Sequence, residues 1–196
     1  MCARILTNLD KFPKPYKLEV GSGGYGREKW DEWIHSDPYV PAEHHIEIEC
    51  YAWELPFEDA SVGHIYGRGM WEHMNYHECE MALIEWLRAL IPGGLIEFNF
   101  PPIDRAIDQF ARGIVDYVFL RGLLYGWQKF DLDTHKSGWT ELSIKEFLSF
   151  FENQLSTLDI FSGVHETNGD IIRYDTPDRD DPGVHIWVRA QKKLML

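Results

Sequence analysis

At 196 residues, 44% of them hydrophobic, the chain is long enough to bury a proper core, and one domain is the expectation for this length. Its 32 acidic against 19 basic residues leave a formal net charge of -13, which disfavours a broad contact with a phosphate backbone and so argues against general nucleic-acid binding. Three cysteines, Cys2, Cys50 and Cys79, are odd in number and form no CxxC pair, so neither a disulfide framework nor a thiolate zinc site is indicated.

The first residues turn polar before a signal-peptide core can form, and the apolar stretch Ile114 to Trp127 is broken by Asp116 and Arg121 and too short to cross a bilayer. A cytoplasmic protein without a membrane span is expected.

Lys17 to Val20 is a short strand candidate that runs into the glycine cluster Gly21-Ser22-Gly23-Gly24-Tyr25-Gly26. Further strands are predicted at Trp33 to Ser36, closed by Asp37-Pro38, and at His45 to Cys50, where Ile46 and Ile48 alternate with glutamates. Leu55 to Ser61 is turn material before a strand at Val62 to Tyr66, and Gly67-Arg68-Gly69 then lets backbone approach a ligand closely. From Tyr76 to Leu90, Met81, Ile84, Leu87 and Leu90 have helical spacing, and Pro92-Gly93-Gly94 is expected to stop that helix before a strand at Leu95 to Phe100.

Ile107, Phe110, Ala111, Ile114, Val118 and Phe119 predict one amphipathic helix, and Leu142 to Phe151 another, capped by Thr140 or Ser143. Strands at Thr157 to Phe161 and Val184 to Ala190 follow, and the polar segment Asn168 to Gly183 between them reads as a long exposed hairpin connection. The resulting division is one domain over 1–196, with a lead at 1–16, a helical acceptor or lid region at 102–156 and C-terminal strands at 157–196. Alternating strands and helices imply a parallel sheet covered by helices, with ligands at the carboxyl ends of its strands.

Two features bear on function. Gly21 to Gly26 matches GxGxxG after a strand, where missing side chains let backbone N–H groups reach a cofactor, although an ordinary tight turn has the same composition. Asp37, ending the second strand, stands where a carboxylate accepts both hydroxyls of a ribose, or else simply starts an Asp-Pro turn.

With these placed, Leu18 to Pro101 resembles the class I S-adenosylmethionine-dependent methyltransferases, especially the branch with a methyltransferase type 11 domain. Glu19-Val-Gly-Ser-Gly is similar to the first motif, Trp33 to Asp37 to a shortened second strand, and Leu55-Pro-Phe-Glu-Asp-Ala-Ser61 to the Leu-Pro-Phe segment before strand four. Trp71-Glu72-His73 resembles Leu-Glu-His after that strand, Glu85 to Gly94 resembles the helix ending in Pro-Gly-Gly, and His135-Lys-Ser-Gly-Trp139 a His-Lys-Ser-Gly segment of the same branch.

The resemblance implies a Rossmann-like three-layer α/β sandwich with a mostly parallel seven-stranded sheet and an antiparallel edge strand. It implies S-adenosylmethionine as cofactor, S-adenosylhomocysteine as product, and a small-molecule or glycan-like acceptor methylated at oxygen. Gly21, Ser22 and Gly23 would hold the methionine part and Asp37 the ribose, with Glu19, Tyr51, Ala52, Trp53, Gly67, Arg68 and Glu72 completing the cofactor set. The sequence departs from the family at Cys50-Tyr51-Ala52-Trp53, where an Asp usually precedes Leu-Pro-Phe, so adenine falls to backbone or to Glu49 or Glu54; Gly63 and Ile91 depart as well.

Methyl transfer from a sulfonium needs alignment of acceptor and donor and no covalent enzyme nucleophile. For a hydroxyl acceptor His135 and His73 are the candidate bases, against the plainer readings of a surface histidine and a helix brace. His73 and His77 are four apart with Glu72, Glu78 and Cys79 nearby, but HExxH is absent and no metal site is expected; His44-His45 reads as a solvated pair. The aromatics Tyr117, Phe119, Tyr125, Trp127, Phe130 and Trp139 could wall an acceptor pocket, with Tyr125 to Gln128 the first choice for a lid. Two rivals remain: a nicotinamide-dependent oxidoreductase, for which the stretch from Gly26 to Trp33 leaves too little helix, and a non-catalytic cofactor-binding module.

Overall fold

The structure, a computed structural model, describes residues 3–23, 31–39, 46–165, 171–174 and 181–194. Strands β1 (Arg4–Ile5), β2 (Tyr16–Val20), β3 (Trp33–Ser36), β4 (Ile48–Glu49) and β5 (Val62–Arg68) come first, then helix α1 (Tyr76–Ala89) and strand β6 (Leu90–Phe100). Helices α2 (Ile103–Ala111), α3 (Tyr117–Tyr125) and α4 (Glu141–Ser149) follow, and β7 (Leu155–His165), β8 (Ile171–Tyr174) and β9 (His185–Lys192) close the series. Gly24, Tyr25 and Gly26, most of the segment that leads to Trp33, Cys2 and the His44-His45 pair lie outside the described residues.

One sheet orders its strands β1-β4-β3-β2-β5-β6-β9-β7-β8. β4, β3, β2, β5 and β6 are parallel neighbours. β9 runs antiparallel between β6 and β7, inside the sheet, so antiparallel strands occur there as well as at the edges. Its run Ile186, Trp187 and Val188 is buried on both faces, which suits a central position. The α/β class is as expected, but the described sheet has nine strands instead of seven, because β1 and β8 add antiparallel strands at its two ends. From β2 the chain winds outward to β3 and β4, then crosses back to β5 and β6, which opens a crevice at the carboxyl ends of β2, β3 and β5.

Residues alternate faces along each strand, and the main core joins Leu18, Ile34, Ile65, Ile96 and Phe98 to Leu83 and Trp86 of α1 and Ile144 and Leu148 of α4. Tyr66, Phe161 and Trp187 form a second, smaller cluster. Asn75 and Glu78 start α1 with a reciprocal capping box, and its buried stripe is Cys79, Ala82, Leu83, Trp86 and Leu87. Ile84, placed on the apolar side by its spacing, faces solvent instead.

Three expectations are corrected. The helix predicted from Ile107 to Phe119 is two helices, because Gly113 turns the backbone to φ +73° and Asp116 caps a new start through the Phe119 N–H at 2.8 Å. Pro92-Gly93-Gly94 separates no helix from strand; it lies inside β6, where the pairing to β5 shifts register between Val62 and His64 and tolerates a proline and two glycines. The connection from 168 to 183 contains strand β8, paired to β7 from Ser162 to His165. For α4 both candidate caps act together, Thr140 as the cap and Ser143 closing the box.

Candidate functional site

A cavity of about 350 Å³ opens at the crevice, lined by Gly21, Gly23, Asp37, Tyr51, Ala52, Trp53, Gly69, Met70 and His73 on the sheet side. Across from these stand Trp127, Lys129, Phe130, Leu132, Asp133 and Lys136 from the loop after α3.

The turn after β2 is fixed by backbone: the N–H groups of Gly21 and Ser22 both donate to the Ser36 carbonyl, at 2.9 and 3.1 Å. Gly21 has φ +66°, and a Cβ on it would stand 2.6 Å from the Met70 Cβ, so only glycine keeps this wall thin. Asp37 is buried and accepts the Gly23 N–H at 2.8 Å through one carboxylate oxygen and the Tyr39 N–H at 2.8 Å through the other. The carboxylate thus organises the turn and lines the cavity as a buried acceptor group.

The loop after β4 is held from behind by α1. Trp86 Nε1 donates to the Ala52 carbonyl at 2.9 Å, Glu85 accepts the Leu55 N–H at 3.1 Å, and Arg88 donates to the Leu55 carbonyl at 3.4 Å while pairing with Glu85 and Asp59. These contacts explain why the Leu-Pro-Phe segment and the Glu85 to Arg88 stretch occur together. Tyr51 and Trp53 stack on each other with centroids 4.7 Å apart, giving an aromatic wall where the family has an Asp. Trp86→Phe keeps the packing but leaves the buried Ala52 carbonyl unsatisfied. A loss of about 1–2 kcal/mol in urea unfolding is expected, together with weaker binding of S-adenosylhomocysteine in calorimetry.

The far wall is the loop from Gly126 to Trp139. His135 donates from Nδ1 to the Leu123 carbonyl at 2.8 Å, and His73 from Nδ1 to the Leu132 carbonyl at 3.0 Å. A carbonyl can only accept, so each neutral ring carries its hydrogen on Nδ1 and its lone pair on Nε2. The two rings meet edge to face with centroids 4.8 Å apart. Burial holds both below the usual histidine range, and the His135 ring lowers His73 further. Between them, the Glu72 carbonyl accepts the Lys136 and Ser137 N–H groups at 2.8 and 3.2 Å, tying the turn after β5 to the His-Lys-Ser-Gly segment.

Of the sequence-predicted set, Gly21, Gly23, Asp37, Tyr51, Ala52, Trp53 and His73 line the cavity. Glu19 stands behind it, buried and 2.7 Å from His35 Nδ1. The Ser22 hydroxyl is buried without a partner, Gly67 faces Met70 and Trp86, and Arg68 is exposed; Gly69, whose N–H donates to Asn99 Oδ1 at 2.8 Å, is the glycine of that turn that reaches the cavity. Glu72 and His135 lie beside the cavity, in contact with its rim through His73 and Lys136. Trp127 and Phe130 wall it as expected, whereas Tyr117 and Tyr125 are exposed and Trp139 is core. Tyr39, Met70, Met74 and Lys129 were not singled out; Tyr39 stacks on Phe130 at 4.7 Å, a pairing across 91 residues that local spacing cannot show. Among the described residues no helix is long and apolar enough to cross a membrane.

A family model of the methyltransferase domain matches residues 34–98, the segment from β3 through β6 that carries one wall of the cavity. An S-adenosylmethionine-dependent methyltransferase from Thermotoga maritima superposes with a TM-score of 0.57 at 12% identity, covering 92% of this chain and 83% of its own. It shares the fold of the S-adenosylmethionine-dependent methyltransferases. The 1,6-didemethyltoxoflavin-N1-methyltransferase of Burkholderia thailandensis, determined with its substrate and S-adenosylhomocysteine, gives 0.57 at 16% identity over 94% of this chain and 72% of its own. The N-methyltransferase NodS of Bradyrhizobium japonicum, bound to S-adenosylhomocysteine, gives 0.54 at 10% identity over 91% of this chain and 78% of its own. No curated protein matches the chain in sequence. The matched segment and the methyltransferase fold agree with the class, and with the cofactor, read from the sequence.

Proposed function

We propose that the protein binds S-adenosylmethionine in this cavity and methylates a small-molecule acceptor at a hydroxyl, with glycan-like compounds among the acceptor class. The observation that carries the reading is the Asp37 carboxylate, buried after the end of β3 beside the Gly21 to Gly23 turn, in the cavity that Tyr51 and Trp53 also line. These groups fit a nucleoside with an amino-acid tail: a diol acceptor, a glycine wall that a Cβ would fill, and an aromatic face for a base. When bound there, S-adenosylmethionine supplies an electrophilic methyl group on a sulfonium.

The chain's own residues do the remaining work. Asp37 holds the ribose hydroxyls, Gly21 and Gly23 admit the methionine part, and the loop from Tyr51 to Trp53 covers the adenine. Phe130, Trp127 and Tyr39 exclude water from the acceptor side and align the acceptor for in-line attack. The acceptor's proton leaves at the corner made by His73 and His135, whose rings are neutral at pH 7 and carry a lone pair on Nε2.

The similarity to N-methyltransferases supports an amine as the second acceptor class, so the test is a panel of both. With labelled S-adenosylmethionine, turnover is expected on hydroxyl compounds, and His135→Ala should lower it by about 100-fold or more while leaving S-adenosylhomocysteine affinity unchanged. Full activity in that variant removes His135 from the reaction, and turnover on amines alone replaces the hydroxyl reading.

A further inference from the structure

We propose that Glu72, His73 and His135 form a site for a zinc-type divalent cation at the rim of the cavity, with one carboxylate oxygen and two imidazole nitrogens as protein ligands. Ligand atoms of these three residues lie within 4.8 Å of one another, brought together by the turn after β5 and the loop after α3. Around a tetrahedral zinc ion neighbouring ligand atoms stand about 3.4 Å apart, so small side-chain rotations close the set.

Two independent features suit this use. Both imidazoles give their Nδ1 hydrogen to a backbone carbonyl, Leu132 for His73 and Leu123 for His135, which is the outer-shell arrangement that fixes a metal-binding histidine with Nε2 as donor. Glu72 is buried, and its Oε2 has no hydrogen-bond partner, an expensive state for a carboxyl oxygen that a cation would relieve.

Two imidazoles and one carboxylate with open positions suit zinc, cobalt or iron, whereas magnesium prefers oxygen. His77, the partner suggested by spacing alone, is instead exposed and paired loosely with Glu80 at 3.8 Å. Because His73 lines the cavity, an ion bound there would face it; both Nε2 lone pairs would then be ligands, so the ion would take the place of the free imidazoles by lowering the pKa of the acceptor hydroxyl, whose proton would pass to solvent. The site goes beyond the methyl-transfer reading and does not rest on cofactor binding.

The test is titration of chelator-treated full-length protein with cobalt(II) alone, followed by visible absorption. The expected result is a protein-bound spectrum that saturates at one equivalent, is displaced by zinc and is untouched by magnesium. His135→Ala and Glu72→Gln should each weaken cobalt binding by roughly 100-fold or more, beyond the loss from an outer-shell partner, and His77→Ala should leave it unchanged. Absence of a bound cobalt spectrum, or equal affinity in a folded His135→Ala protein, overturns the proposal. If that variant fails to fold, histidine ring signals of the wild-type protein decide: two are expected to shift on adding one equivalent of zinc, and no shift overturns the site. Cofactor calorimetry is a separate measurement, so failure of either reading leaves the other standing.

Discussion

Asp37→Ala is expected to weaken S-adenosylhomocysteine binding by about 2 kcal/mol, close to 30-fold, through loss of a charge-assisted two-oxygen acceptor. The effect has two sources. The carboxylate is the group placed for the ribose hydroxyls, and it also ties Gly23 and Tyr39 through their N–H groups, so its removal loosens both sides of the cavity mouth. Asp37→Asn keeps one carbonyl acceptor without the charge and should fall between wild type and alanine. Calorimetry with each variant checks this, and unchanged affinity in the alanine variant removes Asp37 from the binding role.

Trp71→Ala should cost about 3–5 kcal/mol of folding stability, the top of the range for a single core substitution. Trp71 is fully buried in the short turn after β5, stacked on Phe98 at 4.1 Å and close to Trp86, Trp139 and Phe147. Its removal leaves a cavity beneath the backbone that presents Glu72 and His73. Trp71→Phe retains most of the contact and deletes an indole N–H that is buried without a partner, so it should cost far less. Denaturant unfolding of the two variants separates the outcomes; similar midpoints for alanine and wild type would show that the turn can collapse around the missing ring.

Much of the architecture is legible in the sequence because its signals are local. Strand boundaries at β2 and β3, the capped helix α1 and the Thr140 cap each follow from residues within one turn or one pleat. The errors arise where a single residue overrides a pattern. Gly113 breaks an apolar stripe that otherwise spans two helices, and the register shift opposite Val62 lets β6 absorb a Pro-Gly-Gly run that normally ends an element. The extra strand β1 has two residues, too short for periodicity to register, and β8 sits inside a polar, acidic and Pro-containing stretch that reads as a connection.

The site divides in the same way. Gly21, Gly23 and Asp37 are visible because a glycine turn and an acid at strand ends are positions with a physical requirement. The Tyr39 and Phe130 stack and the meeting of Glu72, His73 and His135 depend on the loop after α3 folding back over the sheet, so only tertiary structure shows them. Helical spacing places His77 beside His73, a pair from which no metal site is expected, and it cannot reach His135 across 62 residues.

The measurement that bears most directly on the central claim is calorimetry of the wild-type protein with S-adenosylhomocysteine and S-adenosylmethionine, with NADH as the comparison ligand. The account predicts one site with micromolar affinity for the two S-adenosyl compounds and none for NADH. Absence of binding by both, or tight binding of NADH alone, would contradict it and assign the Asp37 crevice to another ligand.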